Sequence, residues 1–162
     1  MLNKTEFKQL FDAWFDTIRS FIFYRCGDVD LASDMAQDVF MKIWEKRETL
    51  AGNNLKALLY KMANDMVISN YRKETSRNNF MQEMKLRHDY GLSPEDESLY
   101  METAARYAAA LEKMTESQRT VFLMSRNDEL KYYEIAERLD ISLKTVEKRM
   151  SAVLRFLRKE LL

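Results

Sequence analysis

Apolar residues recur at spacings of three and four along the N-terminal half, which predicts three amphipathic helices. The first begins at Asn3, where Glu6 completes a capping box, and Gly27 ends it. Asp30 is expected to cap the second helix, and the third follows the break at residues 51–54. The apolar stripes are Phe7, Leu10, Phe11, Trp14, Phe15, Ile18, Phe21 and Ile22; Met35, Val39, Phe40, Ile43 and Trp44; and Leu58, Leu59, Met62, Ala63, Met66 and Val67.

A polar stretch between Glu74 and Glu97 interrupts this periodicity and contains the only proline, which predicts a linker. Ser93 followed by Pro94 is a favourable helix start, and that helix is expected to run towards Met114. Further on, the pattern predicts another capping box at Thr115 and Gln118 and a short helix from Tyr132 to Leu139. A final helix is expected after Ser142, running almost to Leu162.

The composition favours helices, since the chain has only 3 Gly and 1 Pro in 162 residues. We therefore predict an all-α protein of two small helical domains, residues 1–80 and 98–162, joined by a flexible linker at 81–97. A domain of this size buries only roughly 60% of the surface that its unfolded chain exposes. Each core should be modest in stability, and a partner is expected.

The charges are balanced overall, with 26 basic and 26 acidic residues, but unevenly distributed. Acids dominate from Asp28 to Leu50, and bases dominate from Lys56 to Arg87 and from Lys131 to Leu162. Such asymmetry indicates separate surfaces for separate partners. The acidic stretch from Asp89 to Glu102 could also attract the two basic segments, which suggests that the domains pack together in the free protein and hide both DNA surfaces.

Several classes of function are excluded by what the sequence lacks. The single cysteine, Cys26, allows no internal disulfide, and with one histidine, His88, no metal site is expected. No nucleophile–base pair or glycine-rich phosphate loop is present, so we predict no enzyme activity, no cofactor and no small-molecule substrate. No apolar run reaches the roughly 18 residues of a membrane span, so we expect a cytoplasmic protein without membrane insertion.

The segment from Tyr133 to Arg149 has the pattern of a helix-turn-helix. Apolar residues stand where the two helices would cross, Ala136 is small enough for close approach, and Asp140 tolerates a left-handed turn. The second helix of such a unit points its first turns into the major groove of DNA. The residues that could face DNA there are Lys144, Thr145, Glu147, Lys148, Arg149 and Ser151.

The N-terminal half resembles the sigma-70 family of bacterial transcription initiation factors. The run from Asp30 to Arg47 is similar to its conserved region 2.2, with matches at Asp34, Gln37, Asp38, Phe40, Ile43 and Trp44. The run from Leu58 to Lys73 resembles its promoter-melting segment. Here Asp65 stands where the family usually has asparagine, and Ser69 where it has aspartate or asparagine.

With a region 4.2-like C-terminal unit and no intervening domain, the resemblance is to the extracytoplasmic-function (ECF) group, and it implies specific partners. Core RNA polymerase would dock on Asp34, Gln37, Asp38 and Lys42. The minus-ten promoter DNA would meet Lys61, Asn64, Asp65, Ser69, Tyr71, Arg72 and Lys73, with Tyr60 or Tyr71 stacking on an exposed base. The helix-turn-helix would read the minus-thirty-five element, and an anti-sigma factor is a frequent inhibitor in this group.

Two alternatives remain open at this point. The run from Lys144 to Lys148 also resembles the DNA-binding unit of LuxR-type regulators, which bind operators without joining polymerase. That class requires a receiver or ligand domain upstream, and residues 1–90 lack the alternating strands and helices of a receiver. A helical protein-interaction module would explain the neutral charge and the amphipathic helices but leaves the helix-turn-helix unexplained.

Overall fold

The computed structural model describes residues 1–50, 54–70 and 93–162, and these form seven α-helices. In chain order they are α1 (Lys4–Cys26), α2 (Val29–Glu45), α3 (Leu55–Ser69), α4 (Pro94–Lys113), α5 (Glu116–Arg126), α6 (Tyr132–Leu139) and α7 (Leu143–Leu161). The described part of the chain contains no strand, which confirms the all-α prediction.

Local capping chemistry sets the ends of α1 and α2. Asn3 and Glu6 form the predicted capping box, and Gly27 ends α1 in the left-handed region at φ 69°. The predicted cap of α2 was wrong by two residues. Asp28 is the cap and accepts a hydrogen bond from the backbone N–H of Leu31 at 3.0 Å, while Asp30 lies in the first turn. An acidic residue still benefits from the positive helix end there.

The N-terminal domain is a bundle in which α1, α2 and α3 each pack against the other two. Its centre consists of the predicted apolar stripes, which the helical spacing turns inward: Ile18, Phe21, Ile22, Val39, Phe40, Ile43, Leu59, Ala63 and Val67 are all buried. Full burial of each large aliphatic or aromatic side chain contributes about 1.5–3 kcal/mol. Packing against α1 and against each other therefore holds α2 and α3 in fixed positions.

The C-terminal domain packs α7 against α4, α5 and α6. Its caps follow the sequence prediction: Ser93 begins α4, Thr115 and Gln118 form the capping box of α5, and Ser142 begins α7. Because α4 begins at Pro94, residues 94–97 of the expected linker are helical. Residues 81–92 of that linker lie outside the described residues.

The two domains pack directly against each other. α1 lies against α5, and α3 lies against α6. A single cluster of buried residues runs through both domains, from Ile18 and Phe21 of α1 to Val121 and Met124 of α5 and Val153 of α7. The partner expected for each modest core is therefore, at least in part, the other half of the same chain.

Candidate nucleic-acid and protein interfaces

One face of α2 is polar and exposed. Asp34, Gln37, Asp38 and Lys42 all lie on it, because positions three and four apart share one side of a helix. The opposite face carries Met35, Val39 and Ile43 into the core. The sequence prediction of an exposed, largely acidic surface at this place is therefore matched by the geometry.

An apolar groove that the sequence analysis did not identify borders this polar face. It has a volume of about 470 Å³, runs between α1 and α2 and is lined by Lys4, Phe7, Phe11, Gln37, Phe40, Met41, Trp44 and Glu45. Aromatic contacts build its floor, with ring centroids 5.0 Å apart for Phe7 and Trp44 and 5.1 Å apart for Phe11 and Phe40. Met41 could have indicated this groove from the sequence, because it is an apolar residue outside the core stripe of α2. In the structure Met41 is 60% exposed.

The outer edge of α3 presents Lys61, Asp65 and Ser69 at four-residue spacing, and all three are exposed. Ile68 is 63% exposed beside them. Asp65 is thus a solvent-facing carboxylate, which accepts hydrogen bonds but donates none and repels phosphate. Tyr71, Arg72 and Lys73, the predicted basic end of this edge, lie outside the described residues.

Two predicted DNA contacts of α3 are turned inward. Asn64 is half-buried, and its Oδ1 accepts a hydrogen bond from Arg25 of α1. Tyr60 is only 2% exposed, and its ring packs edge-on against Phe21 with centroids 5.1 Å apart. The prediction that Tyr60 is free to stack on a base is wrong for this conformation, since its spacing places it in the core stripe.

The helix-turn-helix has the predicted form. Asp140 adopts the left-handed conformation, with φ 54° and ψ 48°, and the backbone N–H of Ile141 donates to the carbonyl oxygen of Ala136 at 3.0 Å. Ile135 and Val146 are fully buried where α6 and α7 cross. A short polar side chain tolerates the left-handed region better than most, so Asp140 permits the sharp turn between these helices.

The first turns of α7 face solvent. Lys144, Glu147, Lys148 and Ser151 are exposed, whereas Thr145 and Arg149 are half-buried. Thr145 takes part in the helix cap, because its backbone N–H donates to Ser142 Oγ at 3.1 Å and its own hydroxyl lies 2.8 Å from that oxygen. Five of the six predicted positions therefore have a side chain that is not engaged in the cap.

Arginine contacts across the domain boundary form a further site that sequence reasoning missed. Arg119 of α5 is buried; its Nε donates to the carbonyl oxygen of Tyr24 at 2.7 Å and one terminal nitrogen donates to that of Arg25 at 2.8 Å. Arg25 forms an ion pair with Glu116. The hydroxyl of Tyr24 donates to Asp128 Oδ1 at 2.8 Å.

A second contact joins α6 to α1 and α3. The Arg138 guanidinium lies 5.6 Å from the ring centroid of Trp14 and 5.4 Å from that of Tyr60, and it donates to the Tyr60 hydroxyl at 3.0 Å. Burial raises the pKa of Tyr60, and the nearby arginine charge opposes this shift only in part. Nothing in the spacing of Arg138 distinguished it from a solvent-facing helix residue.

Cys26 is buried at the end of α1, and its thiol donates to the backbone oxygen of Asp28 at 3.4 Å. Burial raises its pKa, because the thiolate is poorly solvated there. Within residues 1–50, 54–70 and 93–162, no three acidic, histidine or cysteine side chains come together as metal ligands. None of the helices in that part of the chain is both long and apolar enough to cross a membrane.

Comparison with known proteins gives consistent similarities over nearly the whole chain. The family described as Sigma-70 region 2 matches residues 10–77, and the family described as Sigma-70, region 4 matches residues 104–157. The ferric citrate uptake sigma factor FecI of Escherichia coli (strain K12) is 24% identical, covering 88% of this chain and 83% of its own. The ECF RNA polymerase sigma factor SigW of Bacillus subtilis (strain 168) is 26% identical, covering 98% and 90% respectively.

A solved structure shares the fold. The sigma factor RpoE from Bartonella quintana, crystallised in complex with the anti-sigma factor NepR, matches with a TM-score of 0.64 and 23% sequence identity over 96% of both chains.

Proposed function

Because the chain belongs to the ECF group of the sigma-70 family, a group of factors that bind core RNA polymerase and direct promoter-specific transcription initiation, we propose how its surfaces divide that work. The N-terminal domain docks on core polymerase and engages the minus-ten element. The C-terminal domain reads the minus-thirty-five element. The factor is activated by a stress or extracytoplasmic signal, as the name of the group implies.

The observation that carries the docking role is the combination on α2 of an exposed polar face and an adjacent apolar groove. Asp34 and Asp38 offer negative charge at the rim, and Phe7, Phe11 and Trp44 offer apolar surface beside it. A rim of charge speeds encounter and selects the partner, while a buried apolar centre supplies most of the affinity. This surface suits a basic helical element of polymerase that carries apolar anchors.

The α3 edge and α7 divide the promoter between them. Lys61 on α3 and Lys144 and Lys148 on α7, which are all exposed, attract the phosphate backbone of DNA. Arg149 and Glu147 of α7 contact base edges in the major groove. Asp65 removes an amide donor from the minus-ten surface. We therefore expect a minus-ten preference that differs from that of relatives with asparagine at this place.

An anti-sigma factor is a further proposed partner. The neighbour RpoE is held by the anti-sigma factor NepR in its solved complex, and this chain has the same fold. The groove beside Met41 is an exposed apolar surface that such an inhibitor would cover in competition with polymerase.

The LuxR-type alternative is less favoured, because the N-terminal half is a helical bundle that matches region 2 instead of a receiver or ligand domain. Reconstituted transcription tests the whole proposal. The full chain is added to core polymerase on sheared genomic DNA, and transcript starts are mapped by sequencing. We expect a small set of starts that share two upstream elements.

The other results of that assay are informative. If the chain retards DNA but directs no initiation, the regulator alternative replaces the proposal. If it neither binds DNA nor initiates, an interaction module is the better interpretation. The same assay with substituted minus-ten elements determines whether Asp65 changes the preference.

A further inference from the structure

The arginine contacts between the domains link the candidate minus-ten helix to the C-terminal domain. We propose that they form a self-inhibitory clasp, consisting of Arg25, Glu116, Arg119 and Arg138, which keeps the inner side of α3 from DNA in the free protein. The clasp must open before α3 can hold an unpaired base. This inference rests on the proposed role of α3 at the minus-ten element.

The first part of the clasp is at the C-terminal end of α1. The last carbonyl groups of a helix lack partners within the helix and carry partial negative charge. Arg119 comes from the other domain, donates to two of these oxygens and is only 7% exposed. A charged donor in that position closes the two domains with a defined geometry, because both hydrogen bonds are lost together when they separate.

The second part is Arg25, which connects three helices. It pairs with Glu116 at the first turn of α5 and donates to Asn64 Oδ1 on α3. Asn64 is thereby occupied from its inner side. Separation of the domains breaks the ion pair with Glu116, which then no longer holds the Arg25 guanidinium in place, so the Asn64 amide of the same domain can exchange this contact for another.

The third part covers an aromatic ring. A base outside the duplex is most readily held by stacking on an aromatic side chain. Tyr60 is the only aromatic residue in α3, and its hydroxyl and ring both contact Arg138 of α6. Withdrawal of α6 removes this arginine from Tyr60 and opens that side of α3 to a base.

Other surfaces remain accessible while the clasp is closed. α2 packs against α1 and α3 and presents Asp34, Gln37 and Asp38 to solvent, and the first turns of α7 are exposed as well. Polymerase can therefore dock before the domains part. The earlier expectation that both DNA surfaces are hidden is corrected, because the α7 surface is open; Glu95, Asp96 and Glu97 of the acidic stretch are exposed.

Two substitutions that change the net charge in opposite directions test the clasp in the full-length chain. Arg25→Met removes a positive charge and Glu116→Gln removes a negative one, yet both break the same ion pair. Glu160→Gln is the matched control, because it also removes one negative charge and one ion pair, with Lys113 at 2.9 Å, but within the C-terminal domain. Arg25→Lys keeps the charge and serves as the conservative variant.

Binding is measured by fluorescence anisotropy with a labelled single-stranded 20-nucleotide DNA of random sequence, and overall dimensions by small-angle X-ray scattering. A larger population of the open form raises the apparent affinity in proportion. We expect both clasp variants to have a larger radius of gyration and to bind the strand about threefold or more tightly than the wild type. Glu160→Gln should resemble the wild type, and Arg25→Lys should lie close to it.

The clasp would be overturned by an extended wild type, by clasp variants as compact as the wild type, or by opened variants that bind the strand no better than Glu160→Gln. A charge effect alone would move Arg25→Met and Glu116→Gln in opposite directions and would likewise overturn it. If Arg25→Met loses its helical circular dichroism, Glu116→Gln alone decides. Initiation by the wild type with core polymerase is assayed in parallel, so that failure of the clasp is distinguished from failure of the proposed function.

Discussion

Arg119 donates its Nε–H to the backbone carbonyl oxygen of Tyr24 across the boundary between the two domains, at 2.7 Å. Its burial makes this contact costly to lose, since hydrogen bonds of a charged donor contribute about 1.5–3 kcal/mol each. We expect Arg119→Met to lower the free energy of unfolding by about 2–4 kcal/mol. Urea denaturation measures this change. Arg126→Met on the exposed side of the same helix should change it by less than about 0.5 kcal/mol, and equal losses would contradict the assigned role of Arg119.

Charge reversal on α2 should abolish docking to polymerase without unfolding the protein. Asp34 and Asp38 are both exposed, so lysine at these positions alters the surface charge and leaves the core untouched. Positive charges that face a basic partner slow its association and disfavour the complex. A pull-down with core polymerase is expected to lose the double variant. Asp12→Lys with Asp16→Lys, an equal reversal on the exposed side of α1, should retain binding, and unchanged binding of the α2 variant would refute this docking face.

Two basic residues of α7 should affect duplex binding differently. Lys148→Ala removes an exposed charge, so affinity should fall by a similar factor on every sequence, and the salt dependence should decrease by about one counterion. Arg149→Ala should instead relax the base preference at one position. Anisotropy titrations at several salt concentrations separate the two effects. Lys159→Ala near the end of α7 is the control, and a loss for it as large as for Lys148→Ala would argue against groove contact.

The turn between α6 and α7 depends on the left-handed conformation of Asp140. Glycine adopts this conformation without steric cost, whereas a β-branched residue is penalised by about 1–2 kcal/mol. Thermal denaturation should therefore show Asp140→Gly close to the wild type and Asp140→Val clearly less stable. Glu137→Val on the exposed face of α6 controls for the change of side chain. If both valine variants melt alike, the backbone conformation is not the cause.

Alkaline pH should destabilise the protein partly through Cys26. Its folded pKa is raised by burial, so the native thiol keeps its proton when the unfolded thiol has begun to lose it near pH 8.5. The stability that the protonated Cys26 thiol contributes is complete below that pH and is lost as the pH rises towards the folded pKa. Urea denaturation under reducing conditions should show a steeper decline above pH 8.5 for the wild type than for Cys26→Ala. Parallel declines would show that the thiol does not contribute. Tyr60 acts in the same direction at higher pH.

Much of the fold could be predicted because it depends on local chemistry. The capping residues Asn3, Thr115 and Ser142 and the left-handed Asp140 act within a few positions along the chain, and the apolar stripes determine which helix faces are buried. The exposed face of α2 followed from the same periodicity. Asp28 replaced Asp30 as a cap because two acidic residues compete at that turn, and spacing alone does not decide between them.

The contacts between domains could not be predicted in this way. Arg119 and Arg138 are charged, and arginine side chains usually remain in solvent. Their partners are a pair of backbone carbonyl groups and two aromatic rings in the other half of the chain. No local pattern encodes a partner that is more than 70 positions away, as Tyr60 is from Arg138.

The continuous buried cluster has a consequence for how the protein loses its structure. Ile18 and Phe21 of α1 share that cluster with Val121 and Met124 of α5. Unfolding of either half would therefore expose part of the other half's core to water. The chain should therefore absorb heat in one cooperative transition instead of two. Parting of the domains exposes the same apolar surface, so we expect the wild-type chain to populate the extended form mainly when another molecule covers that surface. If the clasp opens as proposed, we expect core polymerase to cover this surface in the initiation complex.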